Sequence, residues 1–197
     1  FYTYGTNSYV SDGTSTSAVL TNANGQAFLN SMDNFATAGT IIVWAAGNSY
    51  LSQSSIENAV PYLVPTIKGL FITAVALEED GGIAAYSDWC GVAKDWCISA
   101  PGFAYAVDVT NPSGYSYDSG TSFASAYVSG AAAVLLTAYP ELTSREVVAI
   151  LFDSANKSGI YANTAIYGQG ALDLAAAVKP LGTTRMATTR SVVGPSV

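Results

Sequence analysis

The sequence predicts an α/β domain built on a mainly parallel sheet, and three observations carry that prediction. Two continuous apolar runs, one from Gly39 into Ala46 and one from Leu70 to Leu77, have the composition of strands covered on both faces. Segments of helical period alternate with them, as right-handed parallel crossovers require. The stretch from Ser119 to Tyr139 opens with hydroxyl residues and then turns small and apolar without a break, which reads as a buried helix. The whole chain of 197 residues suits one domain, half of its residues are apolar and 11% are charged.

Taken in order, residues 1 to 23 are rich in Tyr, Thr, Ser, Asn and Gly and read as loop. From Asn24, Phe28, Met32, Phe35 and Ala36 form one apolar stripe at helical spacing, and Gly39 is a natural stop. The first strand follows and ends in Ala45, Ala46, Gly47 and Asn48, where an open α/β sheet carries ligands; Gly47-Asn48 is equally good turn chemistry. Ser49 to Asn58 is polar. After the strand ending at Leu77, Glu78, Glu79 and Asp80 read as a solvated turn, because a calcium loop needs alternating rather than consecutive oxygen ligands. Ile83 to Ser87 and Cys97 to Ala100 are expected as short strands.

Cys90 and Cys97 close a short segment and point to a disulfide-bridged hairpin formed outside the cytoplasm, with two buried free thiols as the alternative. A metal site there would need further ligands, and the chain has no histidine. The long helix should end at Tyr139-Pro140. Thr143 and Glu146 form a capping box for a second helix with Val147, Val148, Ile150, Leu151 and Ala155 inside. Leu172 to Val178 reads as a last short helix, and residues 180–197 as a linker or tail. The net charge of −7 argues against nucleic acid and anionic lipid as partners. No transmembrane segment is expected, since each apolar run breaks well short of about 18 residues.

Ser122 falls at the first turn of the long helix. Backbone N–H groups there are unpaired and the helix dipole is positive, so a serine oxygen can attack a carbonyl while neighbouring amides receive the negative charge. An ordinary N-cap is the competing reading.

Gly120-Thr121-Ser122-Phe123-Ala124 resembles the Gly-Thr-Ser-Met-Ala around the nucleophile of the subtilisin-like serine proteases, the subtilases. Ala45-Ala46-Gly47-Asn48 resembles that family's oxyanion segment. Ala100-Pro101-Gly102 and Tyr167-Gly168-Gln169-Gly170 match two further landmarks in the right order. The departures are Phe123 for Met, and Ala126-Tyr127 in place of Pro-His.

The resemblance implies a subtilisin-like three-layer α/β fold, incomplete, with residues 1–179 as the C-terminal part of the peptidase domain. It implies Ser122 as nucleophile, Asn48 in the oxyanion hole, and Ala45, Ala46, Gly47 and Thr121 in contact with a peptide or protein substrate. It also implies a cis bond at Val60–Pro61 and offers Glu57 as a pocket residue, although a solvated surface charge is the plainer reading of that glutamate. No cofactor is required for the chemistry, and structural calcium is left open.

Subtilases also use an Asp and a His upstream of the oxyanion Asn. With no histidine in the sequence, that segment is expected from the same precursor or from a separate chain. The chain by itself should be nearly inactive. The competing function is an inert peptide-binding or surface-display module. An unrelated α/β-hydrolase is disfavoured, because Ala124 stands where a nucleophile elbow needs glycine. The cysteine pair and the tail resemble a secreted or surface-bound bacterial autotransporter protease.

Overall fold

A computed structural model describes residues 2–4, 7–9, 23–108, 110, 111 and 113–179. Two short antiparallel strands, β1 (Tyr2–Tyr4) and β2 (Asn7–Tyr9), lie where loop was expected. The expected tail, residues 180–197, lies outside the described residues.

Helix α1 (Ala23–Thr37) leads into β3 (Ile42–Ala45). Gly39 takes the left-handed conformation that terminates the helix, with φ 70°, and the N–H groups of Gly39 and Thr40 close back on Ala36 and Phe35. Strand β3 pairs in parallel with β4 (Phe71–Leu77), and β4 in parallel with β5 (Cys97–Pro101), giving the order β3-β4-β5. A short helix α2 (Val60–Leu63) and flanking 3-10 turns occupy the β3–β4 crossover. An antiparallel hairpin, β6 (Phe103–Val107) and β7 (Tyr115–Ser119), precedes α3 (Thr121–Ala138). Then come α4 (Ser144–Ser154), α5 (Thr164–Tyr167) and α6 (Leu174–Ala177).

The sheet is the middle of three layers. Every residue of β4 is buried, and its alternation divides the core. Ile72, Ala74 and Ala76 face Ala124, Val128, Ala131 and Leu135 of α3 and Val147, Val148 and Leu151 of α4. Phe71 and Val75 face the other layer, with Met32 of α1, Val60, Ile67 and Trp96. Alanine on both β4 and α3 lets that helix lie close to the sheet. Its larger buried side chains, such as Leu135, each contribute roughly 1.5–3 kcal/mol. Helix α3 has the length and hydropathy of a membrane span but is packed on all three strands of the sheet.

Several expectations are corrected. Strand β3 is half-buried rather than buried, because among the described residues it pairs on one side only. Helix α3 is likewise buried along one stripe, leaving Tyr127, Val134 and Leu136 exposed. Phe35 is exposed: α1 buries Met32 and packs Phe28, Leu29 and Ala36 beside it, which leaves Phe35 on the flank of that stripe.

Ile83 makes only an isolated bridge to Leu77, and the segment to Ser87 forms no strand. Cys90 and Cys97 are disulfide-bonded, but the segment they close is a 3-10 turn, Gly91–Trp96, not a hairpin. Burial of Val92, Ala93 and Trp96 favours the helical turn, and both sulfurs lie inside the core. There is no cis peptide bond among the described residues, so Val60–Pro61 is trans; Pro61 sits in the first turn of α2, where its fixed φ suits a helix.

The capping box forms as expected. Thr143 Oγ1 accepts from the Glu146 N–H, and the Glu146 carboxylate accepts from the Thr143 N–H at 2.7 Å. Those bonds hold Glu146 below its ordinary pKa, the Thr143 backbone N–H being the largest cause. Glu78 to Gly82 form the expected turn, with Gly81 N–H donating to Glu78 O and Gly82 N–H to Asp80 Oδ1.

Candidate functional site

Two chain reversals meet at the C-terminal end of the parallel sheet. After β3, the Ala46 N–H donates to Ala74 O at 2.9 Å, extending the ladder by one residue, and Gly47 then turns with φ 120°. On the other side, β7 delivers Ser119 opposite Phe103, and the Gly120 N–H donates to Gly102 O at 2.8 Å. That carbonyl also accepts from the Tyr86 hydroxyl at 2.8 Å. A methyl group at position 102 would collide with Ala76 and with the Tyr86 hydroxyl, so the Ala100-Pro101-Gly102 motif is a close-approach point that aims the start of α3. Burial is the largest cause raising the Tyr86 pKa.

Asn48 and Thr121 join the two reversals. Asn48 Oδ1 accepts from both the N–H and the hydroxyl of Thr121, each at 2.9 Å, while Thr121 Oγ1 accepts from the Gly47 N–H at 3.2 Å. With Oδ1 committed, the amide nitrogen Nδ2 has to point away from Thr121. A methyl on Gly120 would lie 3.1 Å from Ser122 Oγ, 3.4 Å from Asn48 Nδ2 and 3.8 Å from Ser122 N, so these three groups border one small volume. Asn48 and Ser122 are both exposed. Ser122 N is one of the helix-start amides left over by the backbone ladder.

The other residues expected to line a substrate groove, Ala45, Ala46, Gly47 and Thr121, are tied into the frame around Asn48. Ala46 is fully buried and Thr121 nearly so. The carbonyls of Ala45, Ala46 and Gly47 accept from Asn58 Nδ2, Ser55 N and Asp88 N. These residues therefore fix where Asn48 sits.

Two supports had no place in the sequence reading. Asn58, fully buried, gives its amide to Ala45 O and accepts from the Thr73 hydroxyl. Asp88, 1% exposed, receives the N–H groups of Ser49 and Leu51 on Oδ1. The signal for Asn58 was its place at the end of a polar stretch just before an apolar turn; a lone aspartate such as Asp88 gave none. Glu57 is half-buried in the 3-10 turn Ile56–Ala59. Among the described residues no group of three or more His, Cys, Asp or Glu side chains is placed to hold a metal ion.

The chain has counterparts among known proteins. A model of the Subtilase family matches residues 3–170. The chain belongs to that family. Its resemblance at four short motifs thus extends over most of its length. Among relatives of this subtilase chain, an extracellular serine protease of Serratia marcescens is 25% identical over 177 residues, covering 78% of this chain and 17% of that protein. The Neisserial autotransporter lipoprotein NalP of Neisseria meningitidis serogroup B is 26% identical over 151 residues, covering 68% of this chain and 13% of that protein.

Among solved structures, the self-cleaved protease domain of PatA superposes with a TM-score of 0.62 at 24% identity, covering 76% of this chain and 52% of that one. That likeness establishes the subtilisin-like three-layer fold. The chain spans about half of the solved domain and a much smaller share of the two longer relatives.

Proposed function

We propose that this chain is the nucleophile- and oxyanion-bearing part of a subtilisin-like serine endopeptidase. The observation that supports it best is the convergence of Ser122 Oγ, Ser122 N and Asn48 Nδ2 on one volume beside Gly120. In the reaction, Ser122 Oγ attacks the peptide carbonyl carbon as its proton passes to a base. The former carbonyl oxygen takes up the negative charge and accepts hydrogen bonds from Ser122 N–H and Asn48 Nδ2. Collapse expels the amine, which takes the proton from the base, and leaves an ester on Ser122 that water hydrolyses by the same steps.

The base comes from outside these residues, because the sequence holds no histidine. In a subtilisin, loss of the oxyanion amide costs about 10²–10³ in turnover. Loss of the base there costs about 2 × 10⁶ and leaves only about 10³–10⁴ over water. The chain by itself is therefore nearly inactive, and an Asp- and His-bearing upstream segment, on the same precursor or a separate chain, completes it.

Among the described residues β3 pairs on one side only, and its other side is where such a segment would seat. A cavity of about 300 Å³ opens between β3 and α3, lined by Ile41, Val43, Ser129, Ala132, Ala133 and Leu136 among others. The disulfide, with the printed names of the extracellular and autotransporter relatives, supports secretion or display at a bacterial surface. The missing histidine also favours a second reading, an inert peptide-binding or display module.

Labelling with a fluorophosphonate probe separates the two. The protease reading expects Ser122 to be labelled when the chain is mixed with the upstream segment of its precursor, and not in Ser122→Ala. No label in the mixture sinks that reading and leaves the groove as a binding surface.

A further inference from the structure

The carboxyl of Asp88 has an unusual balance of partners. Oδ1 accepts from the Ser49 N–H at 2.9 Å and from the Leu51 N–H at 2.8 Å, the amides one and three residues beyond Asn48. The Asp88 N–H donates to Gly47 O at 2.9 Å, the carbonyl just before Asn48. One residue thus grips the backbone on both sides of the amide that faces Ser122. The other oxygen, Oδ2, is buried and has no hydrogen-bond partner. It lies against Gly47 so closely that any side chain at that position would overlap it.

We propose that Asp88 is a positioning residue for Asn48: its carboxyl clamps the Gly47–Leu51 segment and so sets the direction of Asn48 Nδ2. The proposal rests on the reading in which that amide stabilises an oxyanion. Thr121 fixes the amide by its oxygen, and Asp88 fixes the backbone that carries it, so the two restraints are complementary.

The charge state of the clamp follows from its surroundings. The Gly47–Leu51 segment and the turn from Tyr86 to Gly91 that packs on it carry no charge besides Asp88; their titratable groups are Tyr50 and Tyr86. Among the described residues no cation offsets the carboxylate. Burial pushes the Asp88 carboxyl up from its ordinary value, and the two backbone N–H bonds only partly oppose this. At low pH the neutral acid still accepts both N–H groups on Oδ1 and places no charge on the orphaned oxygen. As pH rises through the raised pKa, the folded state acquires an uncompensated buried charge, and the stability the neutral carboxyl gives is lost.

The test reads the Asn48 side-chain amide directly, in correlation spectra of the full-length chain between about pH 4 and pH 8, a window that brackets the ordinary aspartate value and the range above it. The signal is identified by its disappearance in Asn48→Ala. In the natural chain it should move in one titration step with a midpoint above the ordinary aspartate range. In Asp88→Asn, which keeps an oxygen acceptor and cannot titrate there, the signal should stay constant with pH and remain dispersed. In Asp88→Ala it should collapse toward the position of a free asparagine amide. An Asn48 signal that does not titrate in the natural chain, or that is the same in all three chains, overturns the proposal. Should Asp88→Ala fail to fold, the comparison of the natural chain with Asp88→Asn decides alone. Because the spectra report on the amide and not on turnover, a chain whose Ser122 is never labelled can still pass or fail this test.

Discussion

Gly102→Ala is the sharpest probe of how the motif residues hold the site together. The added methyl would overlap the Ala76 side chain, lie 3.1 Å from Ala76 Cα and lie 2.6 Å from the Tyr86 hydroxyl. Ala76 is fully buried in the central strand and cannot retreat. Tyr86 can swing away only by giving up its hydrogen bond to Gly102 O. Overpacking of this kind costs about 1–3 kcal/mol, and the lost bond about 0.5–1.5 kcal/mol. A combined loss of about 1.5–4.5 kcal/mol corresponds, at about 2–4 °C per kcal/mol for a domain of this size, to a Tm lower by roughly 3–18 °C.

Thermal unfolding followed by circular dichroism measures this for Gly102→Ala and for Gly102→Ala with Tyr86→Phe. The double variant, measured against Tyr86→Phe alone, should lose less than the single one, because the hydroxyl that contributes both the clash and the bond is already gone. A Gly102→Ala chain that melts with the natural protein would refute the reasoning, since it would mean Gly102 is not in close contact with Ala76 and Tyr86.

Two further predictions concern the frame around the site. Reducing the disulfide, or Cys90→Ala with Cys97→Ala, should destabilise the chain by about 2–3 kcal/mol, the loop-closure value for a short loop, and lower Tm accordingly; an unchanged melt under reductant would contradict it. Thr143→Ala should cost about 1 kcal/mol by removing the cap of α4. Because Glu146 is held below its ordinary pKa, its share of that cap is present above the unfolded value of about 4.3 and lost as pH falls through the lower folded value. The gap in Tm between Thr143→Ala and the natural chain should narrow on acidification and be constant near neutrality.

Burial and caps were legible in the sequence where local chemistry decided them. The seven-residue apolar run of β4 had only one way to be covered, and Thr143-Ser-Arg-Glu146 carries its own bonding partners. Ser122 and Asn48, the proposed nucleophile and oxyanion residue, were legible as motifs, and the structure brings them to the same volume. The rest depended on partners far away in sequence. The strands of the β6–β7 hairpin went unassigned because the tyrosines that alternate along them, Tyr105, Tyr115 and Tyr117, are exposed and mark no core-facing side. Ile83 to Ser87 looked extended, yet the Ser87 N–H closes a turn onto Ala84 O, and its hydroxyl, in place of a backbone ladder, accepts from the Ala76 N–H of β4. Asp88 looked like a loop acid because what makes it unusual is the backbone 37 to 41 residues earlier that closes over it.

The bond between Asn48 and Thr121 spans 73 residues of chain. Closing so large a loop costs entropy that no single hydrogen bond returns, and only the finished stack of β3, β4 and α3 makes the encounter favourable. Ser122 and Asn48 consequently meet only when that stack is formed. The small volume that Ser122 Oγ, Ser122 N and Asn48 Nδ2 border beside Gly120 therefore exists only once sheet and helix are assembled. Whatever that volume binds, a nascent or misassembled chain has no such place to offer.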